Sequence, residues 1–123
     1  MDRYLVVMLG AAVGGLSRFV AGTAIMEKYG GAFPLGTVVI NITGSFLIGV
    51  LMTLLTRWQA HPNWRLFLVT GVLGGYTTFS SFEYETLQAM RRGGPGIALL
   101  NVVGSVALGY AAVWLGAWIA ERS

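Results

Sequence analysis

The sequence predicts an all-α integral membrane protein of four transmembrane helices, and three observations support this prediction. Apolar residues make up 55% of the 123 residues, and only 11% are charged. That charged fraction is low, because about a quarter of the residues in an average soluble domain are charged. The mean hydropathy is +0.69. Four stretches reach the length of about 20 apolar residues that a helix needs to cross a bilayer. They are residues 5–25, 35–56, 66–90 and 97–120.

The connections between these spans are short, so we predict a single membrane domain over residues 1–123, surrounded by lipid. Any function must therefore lie within the bilayer. The chain has no cysteine, which excludes disulfides and thiol chemistry. It also lacks a nucleophile–base pair and a phosphate-binding loop, so we expect no enzyme. The eight basic residues are scattered along the chain, and we expect no nucleic-acid partner.

Positive charges are nearly balanced between the two sides of the predicted membrane domain. One side carries Arg3, Arg57, Arg65 and Arg122, and the other carries Lys28, Arg91 and Arg92. Because the Lys and Arg asymmetry of short loops sets orientation, we predict insertion in both directions. Dual topology permits an antiparallel homodimer with its two-fold axis in the membrane plane. A single orientation fixed by insertion machinery or by lipid is the alternative.

In the first span, Gly10, Gly14, Arg18 and Gly22 recur at intervals of four and share one helix face. Glycines on such a face let another helix backbone approach closely. Arg18 lies in the membrane interior, where an unpaired guanidinium is costly. We expect it to face a wet vestibule, a partner or the bundle interior, either as a structural anchor or as a group that attracts anions.

Polar residues form one stripe on the second span and another on the fourth. Thr37, Asn41 and Ser45 are spaced by four on the second span, as are Asn101 and Ser105 on the fourth. Hydrogen bonding between helices is enough to explain either stripe alone. The two stripes together indicate a polar track through the domain.

The third span contains adjacent glycines, Gly74 and Gly75, followed by a cluster of threonines and serines. Glycine weakens a helix by about 1 kcal/mol, and hydroxyl groups compete for backbone hydrogen bonds. We therefore predict a break near residues 74–78. Backbone carbonyls freed at membrane depth can bind a small cation. A simple kink closed by the hydroxyl groups is the alternative.

Phe79 and Phe82 are three residues apart on the same predicted helix face, beside Thr78, Ser81 and Glu85. Phenylalanine in a membrane helix ordinarily packs against protein or lipid. The positive edge of an aromatic ring can also assist an anion without trapping it. Glu85 shares the face of Phe82, either as a vestibule group or as a residue that marks the approach to water.

Four segments, in this order along the chain, carry a family resemblance. They are Gly14-Gly15-Leu16-Ser17-Arg18, Gly36-Thr37 with Asn41, Gly74-Gly75-Tyr76-Thr77-Thr78-Phe79-Ser80-Ser81-Phe82 through Glu85, and Gly104-Ser105. The chain resembles the Fluc (CrcB) fluoride channel family over nearly its whole length, and the third segment is the most specific. The resemblance implies a multi-pass protein of the bacterial inner membrane. It also implies an antiparallel homodimer with two pores, which passes fluoride passively out of the cytoplasm and so reduces fluoride toxicity.

The resemblance also implies roles for particular residues. Phe79, Phe82 and Asn41 would line the pore, and Thr78, Ser81 and Ser105 would belong to the polar track. Backbone carbonyls of Gly74 and Thr77 from both copies would bind a structural sodium ion at the dimer centre. The resemblance assigns no role to Asn101.

Two other functions fit four short spans. A dual-topology, proton-coupled small exporter needs an acid deep in the membrane, and Glu85 is the candidate for that acid. A non-transporting assembly subunit needs only the glycine faces. Neutralising Glu85 would abolish transport by the exporter, and fluoride efflux from liposomes would distinguish all three functions.

Overall fold

A computed structural model describes residues 2–123, and these residues form an all-helical protein. Helix α1 spans Arg3–Tyr29 and α2 spans Leu35–Arg57. The third span begins with the short helix α3, Pro62–Arg65, and continues through a π-helical segment, Leu66–Leu73, into α4, Gly74–Tyr76. Helix α5 spans Ser80–Arg91, and α6 spans Pro95–Glu121. The predicted spans are therefore confirmed as helices, with ends that differ by a few residues.

Helices α1, α2 and α6 are long and apolar enough to cross a membrane. The third span is divided between Tyr76 and Ser80, as the glycine and hydroxyl pattern predicts. The predicted position of the break is only partly right, because Gly74 and Gly75 remain helical and the backbone opens at Thr77. Thr77 is extended, with φ −83° and ψ 158°.

Local sequence signals explain several helix ends. The side chain of Asp2 accepts a hydrogen bond of 2.8 Å from the Tyr4 N–H and caps α1. Pro95 lies in the first turn of α6, where its missing N–H costs nothing. Gly93 has φ +78° in the turn between α5 and α6, a conformation that favours glycine. Arg57, at the end of α2, donates to the carbonyls of Ala120 and Glu121 at the end of α6.

Glycines set the closest helix contacts. A Cβ atom at Gly10 or Gly14 would collide with the carbonyl oxygen of Phe67 or Val72, respectively. This packing confirms that the predicted glycine face of α1 meets another helix, and it identifies that helix as the first half of the third span. Helix α2 packs most extensively against α6, through a second glycine contact in which Gly116 meets the Phe46 carbonyl.

Many large apolar side chains on α1 and α6 are exposed, among them Leu16, Phe19, Val103, Val106 and Trp114. The buried hydrophobic residues are few and mostly small, such as Val6, Ala89, Ala98 and Ala120. In a protein with apolar spanning helices, such outward faces contact lipid or another membrane protein.

Candidate functional site

The break in the third span leaves several backbone groups without helical partners. In an uninterrupted helix, the carbonyls of residues 74–78 would each accept from the N–H four residues later. Instead, the carbonyls of Gly74, Tyr76 and Thr77 accept no hydrogen bond from any residue in the described range 2–123. The N–H groups of Ser80 and Phe82 have no acceptor within that same range. The break therefore presents free acceptors on its N-terminal side and free donors on its C-terminal side.

Asn41 of α2 holds the backbone at the break. Its Nδ2 donates to the Thr78 carbonyl over 2.8 Å, and its Oδ1 accepts from the Thr78 N–H, also over 2.8 Å. Both polar atoms of the Asn41 amide therefore replace helical hydrogen bonds that Thr78 has lost. The amide retains one further N–H for another acceptor, because an amide nitrogen carries two hydrogens.

Arg18 of α1 contacts the same region from the opposite side. Its Nε donates to the Gly75 carbonyl over 3.1 Å. This contact supports the anchor role, one of the two roles that the sequence leaves open. Arg18 also lines an open cavity of about 510 Å³.

That cavity places four of the predicted site residues together: Arg18, Thr78, Ser81 and Glu85. Thr37, from the polar stripe of α2, also lines it. The Thr78 hydroxyl accepts from the Ser81 N–H over 3.2 Å and so covers one free donor at the start of α5. The cavity is therefore bordered by hydroxyl groups and by the N-terminal end of α5, which carries a partial positive charge.

A second cavity, of about 360 Å³, lies at the other side of the break and includes Thr78 as well. It brings together Asn41, Gly74, Thr77 and Phe79 with Ser45 of the polar stripe. Thr78 is thus common to both cavities, and the extended backbone lies between them.

Phe79 and Phe82 are neighbours, but their environments differ. Their ring centroids are 6.0 Å apart, with an angle of 53° between the ring planes. Phe82 is 7% exposed, whereas Phe79, within the break, is 73% exposed. Phe79 is the N-cap residue of α5 and has helical dihedral angles, φ −97° and ψ −41°. Its carbonyl accepts from the Glu83 N–H over 3.0 Å. The three-residue spacing therefore brings the two rings together, although only Phe82 is buried in the single chain.

Ser105 lies in a different network, which joins α5 to α6. Its hydroxyl donates to Asn101 Oδ1 over 3.3 Å, and Asn101 Nδ2 donates to the Thr86 hydroxyl over 2.9 Å. Thr86 in turn donates to the Phe82 carbonyl over 2.8 Å. Asn101 is only 1% exposed. The sequence does not point to Thr86, although a threonine four residues after Phe82 can bond its carbonyl.

Glu85 reaches the first cavity, but its carboxylate is incompletely paired. Oε1 of Glu85 is buried and has no hydrogen-bond partner among residues 2–123. A buried carboxylate oxygen without a donor is costly. This atom is therefore a functional candidate, and it is the reason that an exporter remains an alternative.

A model of the CrcB-like protein family, described as "Camphor Resistance (CrcB)", matches residues 5–117. The chain belongs to the CrcB family. A protein from Solibacter usitatus named "Fluoride-specific ion channel FluC" is 60% identical over 98% of this chain and 99% of its own length. Proteins of the same name from Acidobacterium capsulatum and from a strain of Thermus thermophilus are 50% and 46% identical. They align with 98% and 94% of this chain, and with 97% and 93% of their own lengths.

CrcB membership confirms the resemblance that the sequence motifs indicate. Together with the apolar helices, it identifies the chain as a multi-pass protein of a bacterial membrane. The match to residues 5–117 includes every residue of the break and both cavities. The CrcB chain therefore has its candidate site within the part of the sequence that its relatives share.

Proposed function

We propose that this chain is a fluoride-selective ion channel that lets fluoride leave the bacterial cytoplasm passively and so reduces fluoride toxicity. The observation that carries the proposal is the break at Thr77–Phe79, where unpaired backbone donors, hydroxyl groups and phenylalanine rings lie together. The names of the curated relatives support fluoride as the transported ion. A channel carries out no covalent chemistry, so the chain is not an enzyme.

The chemistry of the site suits a small, strongly hydrated anion. A pore must replace the water around such an ion with donors and still release it. The hydroxyls of Thr78 and Ser81, the second Asn41 N–H and the first N–H groups of α5 are donors without positive charge. The edges of the Phe79 and Phe82 rings add weak positive potential. A lining of this kind favours entry of fluoride without holding it as tightly as a fixed cation would.

A structural sodium ion fits the opposite side of the break. The carbonyl oxygens of Gly74 and Thr77 are without donors among residues 2–123, and oxygen atoms are the ligands that hard cations prefer. The helical segment 62–76 also ends at the break, and the C-terminal end of a helix favours a cation. Bound sodium would supply positive potential close to the pore without being part of it. No group of three or more His, Cys, Asp or Glu residues within 2–123 offers another metal site.

A second copy in antiparallel orientation would complete this arrangement. Gly74 and Phe79 line the same cavity, and both are exposed in the single chain. Two carbonyls from one chain are few for a sodium ion, whereas two copies would supply four. A two-fold axis in the membrane plane beside Gly74 would therefore cover the exposed ring and complete the cation site.

A proton-coupled exporter is the second candidate function, and the buried Oε1 of Glu85 is the observation that favours it. An exporter of this type would use Glu85 to bind and release a proton during each transport cycle. The channel requires no such cycle. Replacing Glu85 by glutamine therefore abolishes all transport by an exporter, whereas a channel retains conduction driven by voltage.

The test is fluoride efflux from liposomes that contain the purified protein, with a potassium ionophore to set the membrane potential. The proposal predicts efflux driven by voltage, no chloride efflux under the same potential, and no requirement for a pH gradient. Efflux that occurs only with a pH gradient and disappears in Glu85→Gln identifies the exporter. Absence of fluoride efflux from vesicles with verified protein content contradicts both functions and leaves the assembly subunit.

A further inference from the structure

We propose that Arg18 is a positioning residue that fixes the geometry of the break through the Gly75 carbonyl, and that it does not act by attracting anions. The inference deepens the proposed function and rests on it in part. Its basis is the hydrogen-bond pattern around the break. An attracting group would act through its charge, whereas a positioning group acts through its bond to the backbone.

The Gly75 carbonyl needs a donor because the break removes its helical partner. In a continuous helix, the N–H of Phe79 would donate to it. The extended conformation of Thr77 carries Phe79 away, and the Arg18 Nε supplies the missing hydrogen bond over 3.1 Å. Arg18 therefore donates to the Gly75 carbonyl, as Asn41 donates to the Thr78 carbonyl. The two side chains come from different helices, α1 and α2.

The two side chains divide the carbonyls at the break into two groups. Gly75 and Thr78 have side-chain donors, whereas Gly74 and Thr77 have none among residues 2–123. Arg18 therefore holds the Gly75 carbonyl toward α1. The carbonyls that remain free include the two that the proposed sodium site requires.

The packing of α1 explains how Arg18 reaches this carbonyl. A Cβ atom at Gly75 would lie 2.7 Å from the Ala11 carbonyl oxygen and 3.0 Å from the Gly15 nitrogen. Only glycine at position 75 permits this approach, which places the next turn of α1 beside the end of α4. Arg18 lies on that turn, three residues after Gly15.

The charge of Arg18 also suits this position. A guanidinium at membrane depth requires compensation, and the negative C-terminal end of residues 62–76 provides it. Glu85 lines the same cavity, but its buried Oε1 has no hydrogen-bond partner within the described residues 2–123, Arg18 included. The backbone is therefore the partner of Arg18 in this structure.

The experiment measures the rate of fluoride efflux against fluoride concentration for wild type, Arg18→Met, Arg18→Lys and a control, Arg91→Lys. Arg91 is an exposed cation at the end of α5, away from the break. We expect Arg18→Met to lower the maximal rate at least about tenfold, because a lost hydrogen bond from a charged donor has an effect of this order. In Arg18→Met, the fluoride concentration that gives half the maximal rate should stay within about twofold of the wild-type value.

Arg18→Lys keeps the charge and offers a less well-oriented donor, so we expect its maximal rate to lie between those of wild type and Arg18→Met. Arg91→Lys behaves as wild type, because it keeps the loop charge at that position. A higher half-saturating concentration with an unchanged maximum in Arg18→Met identifies an anion attractor and overturns the proposal. Wild-type kinetics in Arg18→Met overturns it as well. If Arg18→Met fails to fold, Arg18→Lys provides the test. In that variant, a higher half-saturating concentration with an unchanged maximum, or wild-type kinetics, overturns the proposal.

Hydrogen exchange provides a readout that does not depend on transport. The Thr77 N–H donates to Leu73, and the Thr78 N–H donates to Asn41. Loss of Arg18 should raise the hydrogen-exchange rate at these two amides more than at the amides of the packed helices α2 and α6. Equal exchange in wild type and Arg18→Met at both amides contradicts a positioning role. If wild type carries no fluoride, the proposed function fails, and this measurement still tests Arg18.

Discussion

Asn41 illustrates how one polar side chain can replace part of a helix. Its two hydrogen bonds to Thr78 satisfy a donor and an acceptor that the break leaves without helical partners. An unpaired backbone group at membrane depth costs several kcal/mol, so the amide stabilises the open backbone against a regular helix. The remaining Asn41 N–H is available to the second cavity. Asn41 therefore serves the structure first, and its proposed pore role would use only the hydrogen that is left.

The phenylalanine pair gives two variants with different expected effects on stability. Phe82→Ile removes part of a side chain that is 7% exposed, whereas Phe79→Ile changes one that is 73% exposed. Both variants should reduce fluoride flux in liposomes, because each removes a ring edge beside the route. Phe82→Ile should also lower the thermal unfolding midpoint in detergent more than Phe79→Ile does, since Phe82 is buried within the single chain and buried large-to-small changes are destabilising. The proposed dimer should persist in both variants.

Fluoride efflux from liposomes measures the effect of each variant on flux. Unfolding monitored by fluorescence measures its effect on stability. Conservative replacement of an exposed apolar residue of α6, Leu99→Ile, is the control for reconstitution. Normal flux in Phe79→Ile and Phe82→Ile removes the pair from the ion route.

Among the helices, the contact between α1 and the third span depends on glycine, and two neighbouring positions test it. A Cβ atom at Gly14 would collide with the Val72 carbonyl, whereas a Cβ atom at Gly15 has no atom within 4 Å. We expect Gly14→Ala to destabilise the protein by about 1–3 kcal/mol through overpacking. Gly15→Ala should be neutral or stabilising by up to about 1 kcal/mol, because alanine favours the helix.

Thermal unfolding of the two variants in the same detergent measures this difference. Equal midpoints for Gly14→Ala and Gly15→Ala would show that α1 does not meet the third span at Val72. Loss of flux in Gly14→Ala alone is also expected, since the same contact brings Arg18 to Gly75.

The pattern of apolar stretches is enough to predict the helices, because bilayer thickness fixes their length independently of tertiary contacts. It does not reveal the π-helical Leu66–Leu73, which forms where α1 packs closely through its glycines. The break is predicted from Gly74 and Gly75 but begins at Thr77. Both glycines stay helical, with Gly75 in close contact with α1. Asn41, 37 residues away in the sequence, instead holds Thr78 out of the helix through its hydrogen bonds.

The sequence can predict which site residues lie together when they are close along one helix. It cannot do so when packing between distant helices brings them together. Thr78, Ser81 and Glu85 are close in sequence and meet in one cavity with Arg18. The three-residue spacing also groups Phe79 with Phe82, since the backbone is already helical at Phe79. It does not predict that Phe79 is exposed and Phe82 buried. Ser105 joins Asn101 and Thr86, a contact between α5 and α6 that no local pattern predicts.

For the complete protein, the nearly balanced loop charges lead to a prediction about orientation. Reporter domains fused after Ser123, one active only in the cytoplasm and one active only outside it, should both give substantial signal. Adding two lysines beside Arg57, on the side that already carries four of the seven loop cations, makes the count six against three. This change should shift the population toward one orientation and reduce fluoride flux, because the proposed antiparallel pairs become rarer. Signal from a single reporter in the unmodified chain would contradict dual topology.

In our proposal, the antiparallel pair, the cation site and the ion route all depend on the same opened backbone at Thr77. Fluoride efflux should therefore require a cation of the right size at the Gly74 and Thr77 carbonyls. The decisive measurement compares liposome efflux by protein prepared throughout in sodium with efflux by protein prepared in N-methylglucamine. We expect flux to be lost without sodium and regained when sodium is restored before reconstitution. Equal flux in the two preparations, with sodium removal verified by elemental analysis, would contradict this account.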